Sequence, residues 1–132
     1  MVGSLRGIVP FKNANAVLDS CKKDVACYVR FLDTPVPTTP PAARMGHVKA
    51  AWMAAIYGDA ATKASLVSMV ERVKDGSVRL ALVEAIGHLS PNGDAAAAAK
   101  LEAVVEQDRS NGTLSGSDEV FKLALKLRSR LP

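Results

Sequence analysis

The chain has 132 residues, of which 48% are hydrophobic, 23% charged and 5% aromatic, with a formal net charge of +4 and an isoelectric point near 9.3. This length, with a mean hydropathy of +0.11, is enough for one domain with a sizeable core. No run approaches the roughly 20 apolar residues of a membrane-spanning helix, because the Ala95 to Ala99 tract is short and ends at Lys100.

The segment Met1 to Phe11 lacks a continuous apolar stretch and a small-residue cleavage site, so it does not read as a signal peptide. From Ala14 to Leu32, Val17, Leu18, Cys21, Val25, Tyr28, Val29 and Leu32 recur at helical spacings. Two readings of this stretch stay open. One unbroken helix sets the Cα atoms of Cys21 and Cys27 about 9 Å apart, too far for a disulfide. A turn at Lys22-Lys23 with Asp24 capping a new helix brings the two thiols within bonding reach. A bridge would fit an oxidising compartment such as a periplasm, and free thiols a cytoplasm.

The proline-rich connection at 34–41 stops any helix. Further helices follow over Ala42 to Tyr57, Ala60 to Val73, Gly76 to Leu89, Ala95 to Gln107 and Asp118 to Arg130. Asp59, Asp75 and Asp94 stand where N-caps are needed, and Gly58 and Ser90-Pro91-Asn92-Gly93 where stops are needed. In the last helix Phe121, Ala124, Leu125 and Leu131 are the expected core contacts.

An internal repeat organises these elements. Val48-Lys49-Ala50-Ala51 to Ile56 matches Val78-Arg79-Leu80-Ala81 to Ile86 without a gap, 30 residues on. Gly58-Asp59-Ala60-Ala61 matches Gly93-Asp94-Ala95-Ala96 at an offset of 35, and Phe121-Lys122-Leu123-Ala124-Leu125 matches Val78 to Leu82 more weakly at an offset of 43. Repeats of this length mark stacked helical units. The expected fold is therefore all-α, a single domain over 1–132 built as an α-solenoid of about three hairpins.

Over Asp75, Val78-Arg79, Ala81, Ala85, Ile86-Gly87 and Leu89, and less closely over His47 to Gly58, the chain resembles a HEAT repeat of the short bacterial, phycobilisome-lyase-like type. The family pattern is an Asp, then Val-Arg, alanines and a Leu/Ile-Gly ending. The resemblance implies that the second helix of each hairpin lines a concave face, where related proteins bind other proteins and, in some branches, nucleic acid. The deoxyhypusine hydroxylase branch holds a di-iron centre on His-Glu pairs, but here His47 precedes Val48 and His88 precedes Leu89. That activity is not expected.

Lys49, Arg79 and Lys122 hold equivalent positions, so stacking would align them in a row. They are read either as cations paired with acids such as Asp75 or as an anion-binding groove suited to phosphates. One turn further on, Met53, Tyr57, Val83 and Lys126 form either a peptide-binding strip or contacts with the next hairpin, and Trp52, aligned with Leu82, reads as core. Two thiols do not complete a zinc site, neither histidine is marked as a base for them, and no phosphate loop, nucleophile elbow or carboxylate pair is present. No catalytic residue, metal or cofactor is expected. The favoured function is a non-catalytic scaffold for a protein or peptide, ahead of a nucleic-acid binder or a structural piece of a longer solenoid, with the oligomeric state left open.

Overall fold

The computed structural model describes residues 14–39, 41–112 and 117–132. The N-terminal stretch examined for a signal peptide, and part of the connection before the last helix, lie outside these residues. The described residues form seven α-helices: α1 (Ala14–Cys21), α2 (Val25–Leu32), α3 (Met45–Tyr57), α4 (Ala60–Arg72), α5 (Gly76–His88), α6 (Ala95–Asn111) and α7 (Ser117–Ser129), with a 3-10 turn at Pro41–Arg44 before α3.

Local chemistry starts and stops these helices. Asp59 accepts the Thr62 N–H at 3.1 Å while the Thr62 hydroxyl accepts the Asp59 N–H at 3.1 Å, a reciprocal capping box for α4. Asp75 accepts from the Val78 N–H at 3.0 Å and Asp94 from the Ala97 N–H at 2.9 Å, opening α5 and α6. Each of these two caps is also tied to the preceding hairpin, through Arg44 to Asp75 at 3.3 Å and Lys63 to Asp94 at 2.7 Å. Gly93, at φ 81°, makes the left-handed turn ahead of α6. Gly112, at φ 71°, closes α6.

The region from Ala14 to Leu32 is two helices. Lys22 takes a left-handed φ of 53°, Asp24 caps α2 by accepting the Cys27 N–H at 3.3 Å, and the Cys21 and Cys27 sulfurs are bonded with their Cα atoms 5.3 Å apart. The turn at Lys22-Lys23 brings the pair well inside the roughly 9 Å that an unbroken helix would impose. Two other boundaries differ from the sequence reading. The third helix begins at Met45, because Pro41–Arg44 form a 3-10 turn ahead of it. The sixth runs four residues past Gln107, because Asp108 is engaged by buried partners and does not open a solvated loop.

Helices α2 and α3, α4 and α5, and α6 and α7 pack pairwise, α5 packs against both α3 and α7, and α4 against both α2 and α6. Small residues permit the close approach: Ala50, Ala51 and Ala54 on α3, Ala81 and Ala85 on α5, Ala98 on α6 and Ala124 on α7 are all buried. Around them Val17, Tyr28, Leu66, Val70, Val78, Leu82, Ile86, Leu101, Val120 and Leu127 form one continuous core. The N-terminal ends of α5 and α7 meet on Asp108, through Arg79 and Ser117, and their C-terminal ends meet where Arg130 donates to the Gly87 and Ser90 carbonyls. The two helices therefore run parallel.

Two core assignments are corrected by this packing. Trp52 is 42% exposed although its repeat partner Leu82 is fully buried, and Ile56 is exposed where Ile86 is buried. The reason is α1, which packs on α3 and has no counterpart on α5. A Cβ on Gly46 would lie 3.6 Å from Val17 and 3.3 Å from Phe31, so α3 turns its Gly46, Ala50 and Ala54 side toward α1 and α2. On α7 the buried stripe is Ser117, Val120, Leu123, Ala124 and Leu127, while Phe121, Leu125 and Leu131 are exposed. Burial thus aligns Val120 with Val78, an offset of 42, and the sequence match at 43 had slipped by one residue, about 100° around the helix.

Candidate functional site

The predicted cation row is broken at its centre. Arg79 is 0% exposed, so it lines no groove. Its Nη1 donates to Asp108 Oδ2 at 2.7 Å and its Nε to the Val70 carbonyl at 3.1 Å. Asp108 also accepts from the Ser117 hydroxyl at 2.7 Å and from Lys74 Nζ at 3.1 Å. Burial pushes the Asp108 carboxyl up, but the bonds from Arg79, Ser117 and Lys74 outweigh it and hold the group below its usual range. Pairing was one of the two readings of Arg79, yet its acid is Asp108; Asp75 is taken by Arg44.

Val83, expected on the peptide strip, is likewise buried at 8% exposure. Met53 is half-buried against the core, whereas Tyr57 is exposed at the end of α3. Lys49 is half-buried, and Lys122 and Lys126 are exposed, with Lys122 3.7 Å from Glu119 on its own helix.

Helical spacing shows what the three adjacent helices turn outward. On α3 the outward stripe is Met45, Lys49, Trp52 and Ile56; on α5 it is Ser77, Leu80, Glu84 and His88. On α7, Leu123 faces α5, where it would meet a Cβ on Gly87 at 3.5 Å, and Arg128 faces α6, where it grips Glu102 at 2.7 and 2.8 Å. Counting around the helix from these two anchors, Lys122 and Lys126 continue the outward face beside α5. Phe121 and Leu125 lie on the flank away from α5.

The face thus unites Lys49, Lys122 and Lys126 with Trp52, Ile56 and Leu80, but the middle helix contributes a leucine and a glutamate in place of a cation. All the large apolar side chains exposed among the described residues, namely Met45, Trp52, Ile56, Tyr57, Leu80, Phe121, Leu125 and Leu131, belong to α3, α5, α7 or the residues just after α7. None belongs to α2, α4 or α6. Leu80 was legible as an outlier, since it falls off the stripe Val78, Ala81, Leu82 and Ala85.

A groove of about 580 Å³ lies between the segment Leu32 to Thr38 and the connection Arg72 to Asp75. Its charged lining is paired within the chain: Arg72 with Asp33 at 2.9 Å, Lys74 with Asp108 at 3.1 Å and Asp75 with Arg44 at 3.3 Å. Beside this groove His47 is buried. Its Nε2–H donates to the Thr34 carbonyl at 3.1 Å, its ring packs on Phe31 at a centroid distance of 4.5 Å, and its Nδ1 has no hydrogen-bond partner among the described residues. Burial holds its pKa below the ordinary histidine value, against the opposing pull of the Thr34 bond and of Asp75.

No group of three or more His, Cys, Asp or Glu side chains is placed to hold a metal among the described residues, and no helix there is long and apolar enough to cross a membrane. Comparison of the chain with family models, with curated proteins and with solved structures finds no match in any of the three.

Proposed function

We propose that the chain is a non-catalytic scaffold of the HEAT-like α-solenoid kind, which binds a protein or peptide on the outward face of α3, α5 and α7. The supporting observation is the one-sided exposure of Trp52, Ile56 and Leu80 on this layer, with no large apolar side chain exposed on the α2, α4 and α6 layer. Clustered exposed apolar groups mark interaction surfaces, and Trp is among the commonest anchors of protein interfaces. Lys49, Lys122 and Lys126 border the patch and favour a partner whose apolar anchor is flanked by acids. The burial of Arg79 removes the central cation that a phosphate-binding row would need, so the protein-binding reading takes precedence.

The test is affinity capture from a native extract treated with nuclease, comparing the wild type with a Trp52→Asp/Leu80→Asp variant and with Ala99→Asp, which alters the exposed surface of α6. Loss of captured protein in the first variant and retention in the second is expected. Capture of the same proteins by all three chains, or only of nuclease-sensitive material by the wild type, refutes the reading.

A further inference from the structure

The flank of α7 that faces away from α5 has no covering element among the described residues, and it carries a pattern of its own. Phe121 and Leu125, 47% and 51% exposed, lie one turn apart on this flank. Asp118 precedes Phe121 by three residues and Arg128 follows Leu125 by three, so acid, aromatic, leucine and arginine form one stripe. Asp118 pairs with no cation among the described residues. Arg128 is held in place by Glu102 through Nε and Nη2 only, which leaves Nη1 to take a second acceptor.

From this stripe we infer that the α7 flank pairs with the same flank of a second copy of this chain, the two α7 helices running antiparallel about a two-fold axis level with Leu123. That axis places Phe121 of each copy against the partner's Leu125, and Asp118 of each copy opposite the partner's Arg128. A two-fold interface requires a surface complementary to itself, and the acidic start and basic end of α7 supply it only when the second helix is reversed. A helix reversed in this way also sets opposite dipole ends side by side. The contact is small, so the dimer is weak, with dissociation in the micromolar range or above. The inference does not rest on the scaffold reading, because Trp52 and Leu80 lie on the outward face and stay accessible in such a pair.

Sedimentation equilibrium of the full chain from micromolar to millimolar concentration tests it. The wild type is expected to show a reversible monomer and dimer. Leu125→Asp is expected to weaken the dimer roughly tenfold or more, and Trp52→Asp to leave it unchanged. Orientation is read by mixing Asp118→Cys and Arg128→Cys chains with a short bis-maleimide, to which the bonded Cys21 and Cys27 are inert. Cross-links form between the unlike chains and not within either population alone, a readout that stands even if Leu125→Asp fails to fold. A wild type that stays monomeric throughout, a dimer indifferent to Leu125→Asp in a folded variant, or cross-linking of Asp118→Cys to itself overturns the inference.

Discussion

Replacing Arg79 by Met separates the buried network from the exposed cation that the repeat alignment suggests. The substitution keeps most of the side-chain volume, so the cost is electrostatic: a buried Asp108 loses its 2.7 Å guanidinium bond, and the Val70 carbonyl loses its 3.1 Å donor. Removing one partner of a buried pair typically costs 3–5 kcal/mol, and the retained bonds from Ser117 and Lys74 place this case near the lower end, at about 3 kcal/mol. For a domain of this size that corresponds to a melting-temperature drop on the order of 10 °C. The double variant Arg79→Met/Asp108→Leu is expected to recover part of the loss, because it removes the orphaned charge and leaves only Ser117, Lys74 and the Val70 carbonyl to find new partners. Urea titration followed by circular dichroism, with all four corners of the cycle at constant slope, measures both. The pH dependence follows in sign. The folded Asp108 carboxyl lies below its unfolded value, so its contribution is complete above the ordinary carboxylate range near pH 4 and is lost as pH falls through the folded pKa. Without Arg79 the folded carboxyl moves up toward its unfolded value, so this acid-dependent loss shrinks. A cost below about 0.5 kcal/mol, the level of a solvated surface cation, would refute the reasoning.

His47 gives a second pH effect of the same direction in a different window. Its folded pKa is lowered, so stability is full above about 6.5 and declines as pH falls from there toward the folded value; a urea series between these limits shows the decline in the wild type and not in His47→Gln. Gly93→Ala must accept a φ of 81° and bring a Cβ within 2.4 Å of the Leu127 carbonyl oxygen and 3.0 Å of the Leu131 nitrogen. A loss of about 2 kcal/mol or more is expected, and an unchanged thermal melt would contradict the backbone geometry.

Helix ends were legible in the sequence because capping is settled within four residues. Asp59, Asp75 and Asp94 need only their own following N–H groups, and all three cap as read. The Cys21 to Cys27 region was legible as a choice between two geometries, each with its own backbone, and Lys22 shows which one is adopted. Burial was less legible, because it depends on which neighbour covers each flank. Trp52 and Leu82 match in sequence, but α1 engages one side of α3 only, and the matched positions part company. The α7 register slipped for a related reason: Phe121 is the largest apolar residue of its helix and drew the alignment, while the seam is built from Val120, Leu123, Ala124 and Leu127. Arg79 was misplaced because its acid lies 29 residues away in a stretch that reads as solvated loop.

The Asp108 network bears on how freely this architecture can be lengthened or shuffled. On the repeat reading proposed above, the helix pairs would count as interchangeable modules, to be inserted, deleted or replaced by a consensus unit. At this junction a single carboxylate reaches Lys74 in one connection, Arg79 on α5 and Ser117 at the start of α7, and through Arg79 the end of α4. A hairpin spliced between α5 and α6 would strand a buried arginine on one side and a buried aspartate on the other, unless it carried its own matching pair. The junction between the α4–α5 pair and the α6–α7 pair behaves as a keyed joint, and insertion or redesign on this backbone would be tolerated less readily there than at the ends of the chain of helices.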